Sequence, residues 1–278
     1  MNVIRHATAA AFLQVAEPLL LQAEAENNLI LGIAQGIARN PSAAPNAYLA
    51  TVGSDANVLA CAVHIAPFKV IITRANREPI AALARDAFDA VPELDGVTGP
   101  ALPAWEFAIA WSRISGVEPT LTMRLRIHET RKVVDQDLPA AQGHLRSASP
   151  SDLALLAGWT ERFVSDARVP ELVDASRVVE DAIKRGRLHV WEDARPVSMA
   201  AWTGKTPNGV RINFVYTPRE LRGRGYATAC VKALTRQQLE HGNAFCWLYT
   251  DVSATASANI FTRIGYRPVS EVAEYNLR

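Results

Sequence analysis

The sequence predicts an α/β (α+β) protein made of two successive halves built to one plan, and three observations carry that prediction. Segments with the two-residue alternation of a strand are interleaved with segments whose apolar residues recur every three to four positions. The two halves pass through these elements in the same order. Two stretches of the first half also align with stretches of the second, each with one gap. LATVGSDANVLACAVH from Leu49 lies on LHVWEDARPVSMAAWT from Leu188, and WSRISGVEP from Trp111 lies on FTRIGYRP from Phe261. Matches that keep their order and spacing are the mark of an internal duplication.

In the first half, residues 8–39 read as two helices, with Leu20, Leu21, Leu29, Leu31 and Ile33 among the apolar positions, stopped at Asn40-Pro41. AYLATVG and VLACAVHIA, joined by SDAN, read as a hairpin, and FKVIIT as a third strand. REPIAALARDAFDAV is a helix, DGVTGP a short strand or turn, and ALPAWEFAIAWSRISG a helix closed by Gly116. TLTMRLRIHE alternates as a strand. The second half opens with an extended GHLRSAS, then a helix capped by Ser149 or Ser151. PELVDASRVVEDAIKRG is a second helix, and RLHVWE and VSMAAWTG flank the turn DARP. VRINFVYT is a strand, followed by a helix over 224–241, strand AFCWLYTDV, helix ATASANIFTRIG and a last strand near SEVAEYNL. The expected domains are 1–140 and 141–278, divided near the Pro-Ala-Gln-Gly stretch after VVDQD.

Composition narrows the function. Lys+Arg 29 against Asp+Glu 28 leaves a net charge of +1, so no global field favours a nucleic acid. Cys61, Cys230 and Cys246 lack CxxC spacing and fit free thiols in a reducing, cytoplasmic setting rather than a disulfide framework. TAAAFLQVAEPLLL is interrupted by Gln14, Glu17 and Pro18, unlike a signal peptide. No stretch reaches the ~20 apolar residues of a membrane span.

The chemistry concentrates in VYTPRELRGRGYATACVKAL, residues 215–234. Pro218 ends a strand, because proline supplies no ladder donor, and Ala227, Val231 and Leu234 begin a helical period. LRGRGY is therefore a strand-to-helix loop whose glycines sit at a helix N-terminus, where unpaired N–H groups and the positive dipole end favour an anion. Gly223 and Gly225 allow close backbone approach, and Arg222 and Arg224 offer charge-assisted hydrogen bonds to phosphate oxygens. The pattern suits a phosphate or pyrophosphate. TGKT at Thr203 is not a Walker A loop, because Met199 stands where its first glycine belongs. A dinucleotide fingerprint is excluded by Thr228 at its third glycine.

RGRGYA resembles the pyrophosphate loop (R/Q-x-x-G-x-G/A) of the GNAT-type N-acetyltransferase superfamily, with Arg222, Gly225 and Ala227 on its defining positions. LYTDV resembles the family's next strand, and ANIFTRIGYRPV its following helix and terminal Gly-aromatic pair, here Gly265-Tyr266. The resemblance covers about residues 141–278. It implies tandem GNAT-like domains, each a central mixed, mostly antiparallel sheet flanked by helices. The first would be a diverged copy, since its counterpart of the loop, IITRANREPIAAL, has no glycine pair.

The resemblance further implies direct acetyl transfer from acetyl-CoA to an amine, on a small molecule or a peptide, with no metal, nucleic acid or membrane involved. A homodimer is compatible with it. Val215, Tyr216 and Thr217 would hold the pantetheine arm, and Arg222, Gly223, Arg224, Gly225, Tyr226 and Ala227 the pyrophosphate. Ser257, Asn259 and Phe261 would line the same ligand, with Ala254 near the family's asparagine. Phe261 stands where many members carry a proton-donating tyrosine, which leaves Tyr249, Tyr266 or water for that role. Glu192, Asp251 and Glu220 are the carboxylates open to a base role, Glu192 foremost. His241 reads as a helix C-cap, and Trp202, Trp247, Cys230 and Cys246 as core. Two alternatives stand beside the enzyme: a non-catalytic acyl-CoA-binding module and a tandem synthase resembling mycothiol synthase.

Overall fold

A computed structural model describes residues 1–54, 57–134, 141–167, 174–253 and 255–278. The expected division near residue 140 lies outside the described residues. The chain forms two compact units, Met1–Ile127 with Thr250–Ser253 and Pro268–Arg278, and His128–Tyr249 with Ala254–Arg267.

In the first unit, strands β1 (Val3–Arg5), β2 (Tyr48–Ser54), β3 (Asn57–His64), β4 (Val70–Ile72) and β5 (Gly96–Pro100) lie side by side in that order. All pairs are antiparallel except β4–β5. The hairpin β2–β3 sorts its side chains by parity, as a pleated strand must. Tyr48, Ala50, Val52, Ala60 and Ala62 join one apolar cluster with helices α3 (Arg77–Ala90) and α4 (Ala101–Ser115). Leu49, Cys61 and Val63 join the other with α1 (Ala9–Gln22) and α2 (Asn28–Arg39). Thr8 caps α1 by accepting from the Ala11 N–H at 3.2 Å, and Gly116 closes α4 with its N–H on the Ser112 carbonyl. β6 (Thr120–Thr130) follows.

The last strand, β12 (Arg267–Asn276), was expected to complete the second series. It pairs antiparallel with β5 of the first unit, from Val272↔Pro100 to Asn276↔Gly96. Side chains explain the choice. Leu277 packs with α3 and α4, the Tyr275 ring lies 5.6 Å from Trp105, and Lys69 Nζ meets Glu274 at 2.8 Å.

The second unit holds β7 (His144–Ser147), β8 (Leu188–Asp193), β9 (Arg195–Thr203), β10 (Gly209–Tyr216) and, through Tyr249, β11 (Phe245–Asp251), neighbours in that order. Pairing is antiparallel until the parallel pair β10–β11. Helices α5 (Leu153–Ala167) and α6 (Ala175–Lys184) cover one face over Val190, Met199 and Tyr216. Helices α7 (Tyr226–Glu240) and α8 (Thr255–Ile264) cover the other, over Val210, Ile212, Cys246 and Leu248. Ser149 is the predicted cap, but of a single 3-10 turn, Pro150–Asp152, that leads into α5.

The three cysteines are free and buried. Among the described residues no helix is long and apolar enough to cross a membrane, and no group of three or more His, Cys, Asp or Glu could hold a metal.

Candidate functional site

The site is built where β10 leaves its neighbours. Against β11 its register covers only Gly209↔Phe245 to Arg211↔Trp247. Against β9 it runs Arg211↔Thr203, Ile212↔Trp202, Asn213↔Ala201 and then jumps to Tyr216↔Met199. One extra residue is thus inserted, a β-bulge, and Phe214 and Val215 have no partner position on β9. Phe214 adopts φ 50°, a conformation that is strained for a bulky residue and so needs external support. The Phe163 ring of α5 supplies it at 5.5 Å, and Trp159 lies 6.1 Å from Tyr216. Ser198 Oγ donates to the Tyr216 carbonyl at 3.0 Å and sits 2.9 Å from the Thr217 hydroxyl. The strand end is fixed, while its main-chain groups at Phe214 and Val215 are left out of the ladder.

Pro218 ends β10, and a 3-10 turn, Arg219–Leu221, leads into the loop. Gly223 at φ 80° and Gly225 at φ 82° bracket Arg224. Gly225 is the N-cap of α7 and brings no side chain to cap it, so the first-turn amides stay open to an external acceptor. A Cβ built on Gly223 would meet nothing within 4 Å. Its requirement is therefore conformational, since L-residues rarely hold that φ.

The arginines of this loop divide their work. Arg222 Nε donates to the Thr217 carbonyl at 3.0 Å, and its Nη2 to Asp166 at 2.8 Å. Arg219 Nη2 reaches the other oxygen of Asp166 at 2.8 Å. Hydrogen bonds from Arg222 and then Arg219 hold the Asp166 carboxyl below its usual range. Arg222 thus ties the loop to the strand end and to α5, while Arg224 is exposed. Tyr226 is buried with its hydroxyl donating to Asp193 at 2.6 Å, an interaction that raises its phenol above the ordinary value. Ala227 follows in the first turn of α7.

The expected acid and base residues fall in different environments. Tyr266 is fully buried, its hydroxyl 2.8 Å from Thr235 Oγ1, and burial pushes its phenol well up. That position exposes no hydroxyl to a substrate. Phe261 is core as well, edge-on to Tyr266 at 6.1 Å. Glu192 accepts from Arg146 Nε at 2.8 Å, with His144 at 3.8 Å, and the Arg146 bond lowers its carboxyl. A carboxylate held that way is a weak base. Tyr249, partly exposed on β11, lies under the Arg211 guanidinium, 4.6 Å from carbon to ring centroid. Asp251 accepts from the Ser253 amide at 2.7 Å, and Glu220 is exposed in the 3-10 turn. Ser257 and Asn259 lie on α8, and their side chains are outside the described residues, as is Ala254.

The corresponding junction of the first unit, from β4 to α3, has Asn76 as N-cap at φ −70° without a side-chain cap. Arg74 there is paired with Glu26. Phe214, Ser198, Asp166, Asp193 and Arg211 are absent from the sequence-based expectation. Only the arginine carried a signal, a charge inside an apolar strand.

Residues 190–275 match the family described as FR47-like protein. No curated protein sequence matches the chain. An acetyltransferase of the GNAT family from Colwellia psychrerythraea aligns over 100% of both chains at 10% identity, with a TM-score of 0.59. A GCN5-related N-acetyltransferase from Sphaerobacter thermophilus aligns over 99% of this chain and 96% of its own at 16% identity, TM-score 0.61. A tandem GNAT protein from the clavulanic acid biosynthesis pathway aligns over 99% and 97% at 13% identity, TM-score 0.59. At such identities the likeness is one of fold.

Proposed function

Because the chain has the tandem fold of the GNAT-type acetyltransferases, we propose that it moves an acetyl group from acetyl-CoA directly to an amine. The observation that carries this reading is the junction itself, a bulged strand leaving its neighbour and followed by two positive-φ glycines at an uncapped helix N-terminus. The amides from Gly223 to Ala227 would hold the pyrophosphate, with Arg224 adding an exposed guanidinium and Arg222 fixing the loop. Main-chain groups of Val215 to Thr217 would bind the pantetheine arm. An amide from the bulge would donate to the thioester oxygen, a preorganised stabilisation of the charge that develops there.

The donor supplies an activated carbonyl carbon. The neutral amine's nitrogen bonds to it and gives up its proton to solvent water, the C–S bond breaks, and the sulfur leaves with the electron pair. We assign the proton for that sulfur to Tyr249, the partly exposed tyrosine on the strand that β10 leaves. Glu192 and Tyr266 receive no role. On this reading residues 1–140 are a diverged copy without a pyrophosphate loop, and residues 141–278 carry the transfer site.

A second reading draws on Phe261, which carries no hydroxyl, and on Tyr266, whose hydroxyl is sealed against Thr235: an acyl-CoA-binding module without turnover. CoA release against a panel of amines separates the two. Turnover that Arg222→Ala and Gly225→Glu both reduce supports the enzyme. Tight acetyl-CoA binding without release on any amine supports the module.

A further inference from the structure

One face of the β10–β11 pair carries side chains that the transfer mechanism does not use. Val210 and Ile212 of β10 and Cys246 and Leu248 of β11 pack under α7 and α8. By the alternation of a strand, Arg211, Trp247 and Tyr249 share the opposite face. Arg211 and Trp247 are register partners at the last paired position before the strands separate. Arg211 Nε is sealed from solvent and has no hydrogen-bond partner among the described residues, and the same holds for Nε1 of the fully buried Trp247.

These are two N–H donors with no acceptor, and one belongs to a cation. A guanidinium stays protonated in proteins; Arg211 is only partly buried as a residue, but its sealed Nε carries the cost of a donor taken from water without an acceptor. Other arginines of this unit are treated differently. Arg146, Arg219 and Arg222 each meet a carboxylate at 2.8 Å. Among the described residues Arg211 meets only the Tyr249 ring, and burial lowers its pKa with that phenol opposing. Arg187 also has an unpartnered Nε. It lies over Trp202, which packs on the α7 face, away from this group.

A flat cation whose Nε lacks an acceptor matches a planar acceptor-only anion. We propose that Arg211 recognises a carboxylate on the acceptor, so that the amine acetylated is that of a free amino acid or a similar small amino-carboxylate. This rests on the acetyl-transfer reading above, and it selects an acceptor class within it. Arg211 stands three residues before the strained Phe214, and its guanidinium covers the tyrosine assigned as proton donor. A carboxylate held there would bring the acceptor's amine to the part of the sheet where the thioester is expected.

The test pairs free amino acids with their carboxamides in two assays. CoA release reads turnover, and calorimetry with N-acetyl amino acids and N-acetyl carboxamides reads binding without turnover. Wild type is expected to favour the carboxylate member by roughly ten- to a hundredfold in kcat/KM and in affinity. Arg211→Met should abolish that preference, and Arg211→Lys, which keeps the charge without the fork, should retain part of it. Unchanged acetyl-CoA affinity in both variants shows that they fold. Equal use of both members by wild type overturns the proposal, as does a preference that survives Arg211→Met. No release from any acceptor, with carboxylate binding lost in Arg211→Met, removes the transfer reading and leaves the carboxylate site standing.

Discussion

At φ 80° and 82°, Gly223 and Gly225 hold a backbone that a Cβ strains by ~1–3 kcal/mol, and at Gly223 the added atom would meet nothing within 4 Å. The glycine pair was legible in the sequence for that reason: few residue types can occupy such positions, and their spacing is local. Tyr266 was not. A tyrosine has an apolar body and a polar tip, and its burial depends on Thr235, 31 positions away. The environment of Glu192 was not legible for a similar reason, because its partner Arg146 lies 46 positions off. The proposed mechanism assigns proton donation to Tyr249. Tyr249→Phe should lower kcat roughly 10²–10⁴-fold while acetyl-CoA affinity is retained. Steady-state rates equal to wild type would remove the phenol from the mechanism.

Among elements, β10 carries the consequence. Phe214 at φ 50° announces nothing in the sequence, since phenylalanine in an apolar run reads as ordinary strand. The strand itself was legible from Val210 to Tyr216, and the bulge was not, because it is set by the register against β9. The amides of Phe214 and Val215 lie outside the β9 ladder. They should exchange rapidly in the free protein and become protected on addition of acetyl-CoA, while Ile212 stays protected throughout. Hydrogen exchange followed by NMR checks this, and unaltered exchange at both amides would remove them from the donor site.

The entry to α5 is a second element with a measurable signature. Hydrogen bonds from Arg146, opposed by burial and helped by Ser149, hold the Asp152 carboxyl at about 2. A carboxyl depressed in the folded state contributes stability that is complete above its unfolded value, ~4, and is lost as pH falls toward 2. Urea unfolding should therefore show wild type losing roughly 2 kcal/mol over that window relative to Asp152→Asn. Parallel pH profiles for the two proteins would show that the capping box and ion pair contribute nothing.

For the whole molecule, the order of elements was legible almost throughout, because each rests on local periodicity and local stop signals. The partner of β12 was not. Its pairing with β5 joins residues more than 170 positions apart, and no local pattern distinguishes one sheet edge from another. The two units also differ at the junction to which the proposed donor site is assigned. The β10–α7 junction has paired positive-φ glycines, whereas the β4–α3 junction has Asn76 and an Arg74 committed to Glu26. A duplicated fold with one equipped junction should bind one donor per chain. Calorimetric titration of acetyl-CoA into wild type and Gly225→Val tests this most directly. The account predicts one site per chain and at least ~10-fold weaker binding in the variant, as loss of about 1.4 kcal/mol would give. Two equal sites, or an affinity that Gly225→Val leaves unchanged, would contradict it.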